Sequence, residues 1–306
     1  METNPNKSLI LHLVRISHPL FILVGVLFYA LGAGIAKYLG VIIDWQIYGV
    51  GQACVTLLQL STQFLSVYFA TLEPASPSRL PVIQGGDYPD ERVLSRNTLL
   101  LIAAALLTSG AAFTVLIYRD GRLTVSTLII LGFAFAVSFF YSAPPVRLSK
   151  SGYGELTTAI LMANLVPAFG FLLQTGSLHR LVAMSTFPLT ALYLAMLLAL
   201  SLPLYARDMK YGRRTLMVRL GWQRAMILHN YLVIFAYVLL LLAVLLGFPW
   251  LLAWPVFLTL PLGVFQIWQF YQISNGAKPH WPVVVLIARA SLILAAYLIA
   301  LSFWIG

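Results

Sequence analysis

Acidic residues are scarce in this chain of 306 residues. Asp and Glu together number 9, charged residues of both signs make up 9% of the sequence, and hydrophobic residues make up 60%. So few charges cannot cover the surface of a soluble globule of this size, because such surfaces are rich in charged side chains. The composition therefore excludes a soluble globular protein and predicts an integral membrane protein.

Cysteine is almost absent as well. Cys54 is the only one in the chain, so an intramolecular disulfide is excluded. The sequence also contains no His/Cys zinc set, no nucleotide-binding loop and no nucleophile elbow. Several common classes of soluble enzyme are therefore excluded with the soluble fold.

Basic residues outnumber acidic ones by 19 to 9, which gives a formal net charge of +10. Loop Lys and Arg residues usually set the orientation of a membrane protein, so this excess does not indicate a nucleic-acid partner. With the N-terminus inside, fourteen basic residues fall in inner segments, four in outer segments, and Arg289 within the last span. We predict a cytoplasmic N-terminus and an external C-terminus, in the plasma membrane if the source is prokaryotic.

Long apolar runs are what the chain has in abundance. A helical span needs about 20 mostly apolar residues. Nine stretches meet this condition: 17–37, 46–72, 97–117, 124–142, 155–174, 186–206, 226–246, 250–273 and 282–304. The longer polar segments between them all fall on the predicted cytoplasmic side. The sequence therefore predicts one helical membrane domain, residues 1–306, with its functional site at the cytoplasmic end.

Three segments at that end carry a family resemblance. The first reads Leu-Ser-Thr-Gln-Phe-Leu-Ser-Val-Tyr-Phe-Ala over 60–70. The second reads Tyr-Ser-Ala-Pro-Pro-Val-Arg-Leu over 141–148 and Gly-Tyr-Gly-Glu over 152–155. The third reads Pro-Leu-Tyr-Ala-Arg-Asp over 203–208 and Gly-Arg-Arg-Thr-Leu over 212–216. Together they resemble the UbiA superfamily of intramembrane prenyltransferases, closest to the branch that prenylates 1,4-dihydroxy-2-naphthoate for menaquinone.

The resemblance implies an all-α bundle of about nine transmembrane helices, with a central lipid-open cavity and a cytoplasmic polar cap. It also implies transfer of a polyprenyl group from its diphosphate to an aromatic acceptor. In such enzymes Mg²⁺ bridges the leaving diphosphate to the protein, and Mg²⁺ prefers hard oxygen ligands such as carboxylates. The expected partners are membrane lipid and a polyprenyl diphosphate or quinone-like lipid, and the expected cofactor is Mg²⁺.

The chain departs from the family in its metal-binding motifs. The family pattern has Asn or Asp at positions that are here Ser66, Ala70 and Pro74, and again at positions that are here Leu200 and Leu204. A four-residue spacing places each set on one helix face. Methyl and methylene groups cannot coordinate a metal, so the sequence predicts weak binding of Mg²⁺.

Asp208 is the one acidic residue at a principal motif position. The resemblance makes it a candidate catalytic residue and metal ligand; alternatively it pairs with Arg207 or Lys210 at a helix end. Tyr141 and Tyr68 match family positions near the reacting centre, where an aromatic face stabilises a carbocation. Tyrosine is also an ordinary component of the membrane interface.

Four basic residues match positions that bind the diphosphate in relatives: Arg79, Arg147, Lys210 and Arg213. The alternative for this cluster is orientation of the chain and contact with anionic lipid headgroups. The loop acids Asp87, Asp90 and Glu91 are candidates for displaced carboxylates, although a solvated loop commonly holds such residues.

Two functional hypotheses remain from the sequence. One is an active prenyltransferase that uses Asp208, loop acids or basic residues in place of the usual metal ligands. The other is a pseudoenzyme that binds a prenyl lipid, a quinone or a protein partner in the inherited cavity. A transporter or pore is disfavoured, because the spans carry almost no charge apart from Arg289.

Overall fold

The computed structural model describes residues 13–14, 16–72 and 95–306. Arg79 and Pro74, with the loop acids Asp87, Asp90 and Glu91, lie outside the described residues. The described part is helical and contains no strand. The chain is therefore an all-α integral membrane protein, as the composition predicts.

Ten long helices are labelled in chain order. They are α1 (Pro19–Tyr38), α2 (Trp45–Thr71), α3 (Arg96–Arg119), α4 (Val125–Phe140), α5 (Gly154–Thr175), α6 (Arg180–Ser201), α7 (Trp222–Leu245), α8 (Trp250–Phe257), α9 (Leu260–Ser274) and α10 (Trp281–Ile305). Short helices cover Leu148–Ser151, Tyr205–Lys210 and Leu216–Leu220.

Eight of the nine apolar stretches predicted from the sequence each overlap one of the labelled helices, and the stretch 250–273 corresponds to two helices, α8 and α9. Within the described residues, 7 helices are long and apolar enough to cross a membrane. Helices α8 and α9 are bent by 41° and together count as an eighth span, while α4 has only 16 residues. Pro255 and Pro261 lie close to this bend, where a missing backbone N–H weakens the helical hydrogen-bond ladder.

Side-chain oxygens define several helix starts. Asp44, Ser95 and Thr124 each accept a hydrogen bond from a backbone N–H in the first turn of α2, α3 and α4. Thr215 does the same for the short helix Leu216–Leu220. These N-caps satisfy amide groups that have no partner within the helix.

Helix α6 and helix α5 form the centre of the bundle, where most of their residues are buried. Helix α6 packs against α7 and α10, and α1 packs against α5 and α10. The close approach of α1 to α5 depends on Gly32, because a Cβ at this position would meet the backbone carbonyl of Pro167. Pro167 lacks a backbone N–H, and the preceding turn, Leu161–Leu165, is a π-helix.

Candidate functional site

A cavity with about 640 Å³ of empty space, part of which is open to the surroundings, lies between α1, α2, α4 and α5. Its walls are mainly aliphatic and aromatic, with Phe21, Leu58 and Val137 among the lining residues. Gln59 lies in the same wall, and its amide donates to the Phe21 carbonyl at 3.0 Å. An apolar chamber with few polar groups fits a hydrocarbon chain better than a polar solute.

Tyr141 joins this cavity to a group of charged side chains. Its buried ring lines the cavity, and Thr158 on α5 lines the same cavity. Tyr141 also interacts electrostatically with Glu155 and Arg213. Tyr141 therefore lies between the apolar cavity and the charged side chains, and its place near a reacting centre stays a prediction.

Tyr68 occupies a different environment. Its ring makes an edge contact with Phe69, with the centroids 5.1 Å apart. It packs against a small hydrophobic cluster of α2 and α3 that includes Phe64 and Leu99. Tyr68 is not among the residues that line the cavity, so the two predicted aromatic residues are not brought together.

The described part of the first motif face offers hydroxyl and methyl groups. Ser66 lies 2.7 Å from Ser142, oxygen to oxygen, and donates to the Thr62 carbonyl. Ala70, one turn further along α2, is half-buried and has no ligand atom in its side chain. Ser66 therefore serves a contact between α2 and the segment after α4.

The second motif is not a continuous α-helix. Helix α6 ends at Ser201, and Leu202–Leu204 form a 3₁₀ turn before the short helix that contains Asp208. Pro203 accounts for the change, because its ring and missing N–H disrupt the α-helical hydrogen bonds. The stretch 200–208 therefore departs from the regular α-helix that the predicted common face of 200, 204 and 208 assumes.

Asp208 is buried and lies beside Arg213. Its side chain is fully buried, and its carboxylate is 3.7 Å from the Arg213 guanidinium. The Arg213 backbone N–H also donates to the Asp208 carbonyl at 2.9 Å. The ion-pair partner is thus Arg213, where the sequence suggested Arg207 or Lys210. Neither carboxylate oxygen of Asp208 accepts a hydrogen bond within the described residues.

Glu155 completes this charged group, and sequence reasoning did not assign it a role. Its carboxylate accepts a hydrogen bond from the Leu216 backbone N–H at 3.1 Å. It also interacts electrostatically with Arg213 and Asp208. We call Tyr141, Glu155, Asp208 and Arg213 the Asp208 cluster. The one signal for Glu155 in the sequence was its place in the Gly-x-Gly-Glu pattern.

The other predicted basic residues surround this cluster on the same end of the bundle. Arg147 follows the cis Pro144-Pro145 bond, has a left-handed backbone (φ 45°) and precedes the helix Leu148–Ser151. Lys210 is exposed and lies 5.6 Å from the Tyr211 ring centroid. Lys210 is therefore on the surface, whereas Arg147 is held in a defined turn.

Arg219 is a further residue that sequence reasoning missed. Its guanidinium stacks 4.5 Å from the Tyr153 ring centroid and donates to the Ser151 carbonyl at 3.2 Å. Gly152, with φ 78°, allows this approach, since a Cβ there would collide with the Arg219 side chain. This contact fixes the segment after α4 against the segment before α7.

The donor set does not fit a Mg²⁺ site built from two carboxylate clusters. Within the described ranges, no three His, Cys, Asp or Glu side chains come together in a group that could hold a metal ion. Asp208 has oxygens without hydrogen bonds, but Glu155 is engaged by the Leu216 amide. Serine, alanine and leucine occupy the other described motif positions. One carboxylate beside an arginine is a poor match for a dication.

Fold and site together define an integral membrane protein with an apolar chamber and a charged cluster at one end of it. The family model described as UbiA prenyltransferase family matches residues 89–286, more than half of the chain. The chain belongs to the UbiA prenyltransferase family. No curated protein matches its sequence significantly.

Solved structures show the same fold at low sequence identity. A UbiA homolog from Archaeoglobus fulgidus aligns with a TM-score of 0.62 and 16% identity, over 96% of this chain and 99% of that one. The same homolog bound to GPP and Mg²⁺ gives 0.61 and 15%, over 94% and 99%. A structure of digeranylgeranylglyceryl phosphate synthase gives 0.60 and 16%, over 99% of both chains. At this identity the likeness concerns the fold.

Proposed function

We propose that the chain binds the hydrocarbon chain of a prenyl diphosphate or quinone-like lipid in the 640 Å³ cavity, without efficient Mg²⁺-dependent transfer. The proposal treats 1–306 as one UbiA-like domain that is a pseudoenzyme. A protein partner would then bind the lipid-bound form of the chain. The apolar walls support the lipid class, because they match an isoprenoid chain in chemistry.

One observation carries the proposal: Asp208 is the only carboxylate at the described motif positions, and Arg213 lies beside it. An arginine next to a carboxylate opposes binding of a dication and replaces part of its charge. Ser66 and Leu200 add no charge at the positions that the family resemblance assigns to metal ligands. Ionisation of an allylic diphosphate requires stabilisation of the leaving diphosphate. These side chains offer few ligands for a metal ion that would provide this stabilisation.

A second candidate function is favoured by a different observation. Both carboxylate oxygens of Asp208 lack hydrogen bonds in the described residues, so they have free coordination positions. Tyr141 borders the cavity next to them. On this hypothesis the chain transfers a polyprenyl group to an aromatic acceptor of the dihydroxynaphthoate type, as in menaquinone biosynthesis, with Asp208 as the central ligand.

Binding measurements separate the two hypotheses. We expect the purified protein to bind geranylgeranyl diphosphate with a Kd that changes less than threefold between Mg²⁺ and EDTA. We also expect no prenylated product from 1,4-dihydroxy-2-naphthoate. Binding that requires Mg²⁺, together with turnover on the order of 1 s⁻¹, would establish the second hypothesis instead.

A cavity-filling variant tests the assigned chamber. Ala134 lines the cavity on α4, and Ala134→Trp should weaken binding of geranylgeranyl diphosphate and of geranylgeraniol at least tenfold. Ala112→Trp on the exposed surface of α3 is the matched control and should bind both as the native chain does. Equal loss in both variants would argue against specific occupation of this cavity.

A further inference from the structure

A second cavity, with about 810 Å³ of empty space that is partly open to the surroundings, lies between α1, α6 and α10, and a charged residue lines it. Arg289 is in α10, eight residues after the helix start at Trp281, which corresponds to about 12 Å along the axis. A charged side chain at such depth in a span is costly and is usually retained for a function. The environment of Arg289 therefore indicates what it binds.

Arg289 has no ion-pair or hydrogen-bond partner among the residues that the structure describes. Three acidic residues of the described chain have other partners. Asp44 pairs with Arg122, Asp208 pairs with Arg213, and Glu155 accepts a hydrogen bond from the Leu216 amide. The guanidinium presents up to five donors in a planar fork that matches phosphate oxygens. Its charge and its donors are thus available to an anion that enters the cavity.

The cavity is polar at one end and apolar beyond it. His18, at the start of α1, and Arg289 line the same space. Side chains on a helix lean toward its N-terminus, so Arg289 is directed toward the end of the bundle where α1 and α10 begin. Val24, Met196 and Ile293 continue the wall away from that end. This arrangement suits an amphiphile with an anionic head and a hydrocarbon tail.

Leu200 links this cavity to the altered motif. It is buried in the cavity wall, at a position where the family resemblance implies a metal-ligating amide. The wall therefore combines an aliphatic side chain with a cation where a metal would otherwise attract the anion. A guanidinium attracts a phosphate directly and repels a dication, so the charge of this wall favours an anion without a bridging metal.

We propose that the cavity between α1, α6 and α10 binds the phosphate head of a membrane lipid through Arg289, without a metal ion. The ligand class is a phosphate-headed amphiphile, either a prenyl phosphate or a glycerophospholipid of the phosphatidic acid type. Phe21 lines both this cavity and the 640 Å³ cavity, but the other lining residues differ, and the proposal does not depend on the function proposed for the 640 Å³ cavity.

Binding in EDTA tests the site. The purified full chain in detergent is titrated with geranylgeranyl monophosphate and with dioleoyl phosphatidic acid, and with geranylgeraniol and dioleoylglycerol as head-free controls. We expect at least one phosphate lipid to bind tenfold or more tightly than its head-free control. Preference for the prenyl phosphate or for phosphatidic acid identifies the source of the headgroup. Equal binding of phosphate lipids and controls would overturn the proposal.

Variants assign the effect to Arg289. Arg289→Gln should lose the preference for phosphate lipids tenfold or more, and Arg289→Lys should lose less because Lys keeps the charge without the forked donors. Arg224→Gln removes an exposed arginine at the start of α7 and should change binding less than twofold. Unchanged binding by Arg289→Gln, or an equal loss in Arg224→Gln, would show that the site lies elsewhere.

Photo-crosslinking of the native chain keeps the proposal testable if Arg289→Gln does not fold. A prenyl monophosphate with a diazirine in its first isoprene unit should label peptides around Met196 or Ile293 in EDTA. An excess of geranylgeranyl monophosphate should compete the label. Labelling confined to α2 and α4 would place the lipid in the other cavity and refute the assignment.

Discussion

The hydroxyl oxygens of Ser66 and Ser142 lie 2.7 Å apart and join α2 to the segment that follows α4. Both residues are buried. The family resemblance assigns a metal-ligating amide to position 66, yet here the side chain makes a neutral contact between two elements. Position 66 therefore contributes to packing between α2 and the segment after α4, which supports the hypothesis that metal binding is weak.

The hydrogen bond between Glu155 and the Leu216 amide gives a first prediction. Glu155→Ala leaves a buried backbone N–H without a partner, which costs about 1–3 kcal/mol. We expect hydrogen exchange to increase over 205–220 and thermal stability to fall. Glu155→Gln is the matched control, because its side-chain oxygen still accepts the bond. Similar exchange in Glu155→Ala and the native chain would show that this bond does not hold the segment.

The packing of α1 against α5 gives a second prediction. In Gly32→Ala the added methyl would meet the Pro167 carbonyl, so the two helices must separate. Overpacking of this kind typically costs about 1–3 kcal/mol. Thermal unfolding in detergent should show a lower Tm. Gly132→Ala, in α4 with open space around its Cα, is the control and should not lower it; equal Tm values for the two variants would contradict this account.

The helices themselves were predictable because long apolar runs and their polar ends are local properties of the sequence. The break at Pro203 was predictable in principle, since proline disrupts an α-helix wherever it lies inside one. Pro203 lies between positions 200 and 204, so a regular α-helical turn between them was not to be expected. Features that depend on neighbouring residues, such as helices and helix breaks, could therefore be predicted from the sequence.

Contacts between distant segments could not be predicted in the same way. Nothing near Glu155 in the sequence indicates that it binds the Leu216 amide, and nothing near Arg289 places it in a cavity with His18. Such pairs depend on how helices pack, which a single sequence does not specify. The sequence marked Glu155 only by its place in the Gly-x-Gly-Glu pattern and Arg289 only as a charge within a predicted span.

Membrane orientation remains a prediction, and cysteine labelling tests it. Fourteen of the 19 basic residues lie in segments that share one predicted side. The loop 207–225 should therefore be cytoplasmic. In a Cys54→Ser background, Gly212→Cys should resist an impermeant maleimide in intact cells and react after lysis. Gly121→Cys, in the turn between α3 and α4, should react in intact cells. The reverse pattern would invert the topology.

The last prediction restores the metal ligands that the resemblance implies. Ser66→Asn, Ala70→Asp, Leu200→Asn and Leu204→Asp together would add two carboxylates and two amides to Asp208. These positions lie toward the end of the bundle that holds the Asp208 cluster, so each new charge should cost less than the roughly 2.5–3.5 kcal/mol of a charge at the bilayer centre. We expect the variant to bind geranylgeranyl diphosphate at least tenfold more tightly with Mg²⁺ than in EDTA. Asn at all four positions keeps the polarity without the added charges and should show little Mg²⁺ dependence. A folded variant with two new carboxylates and no response to Mg²⁺ would mean that the break at Pro203 holds position 204 away from Asp208, and that more than ligand identity separates this site from a metal-binding one.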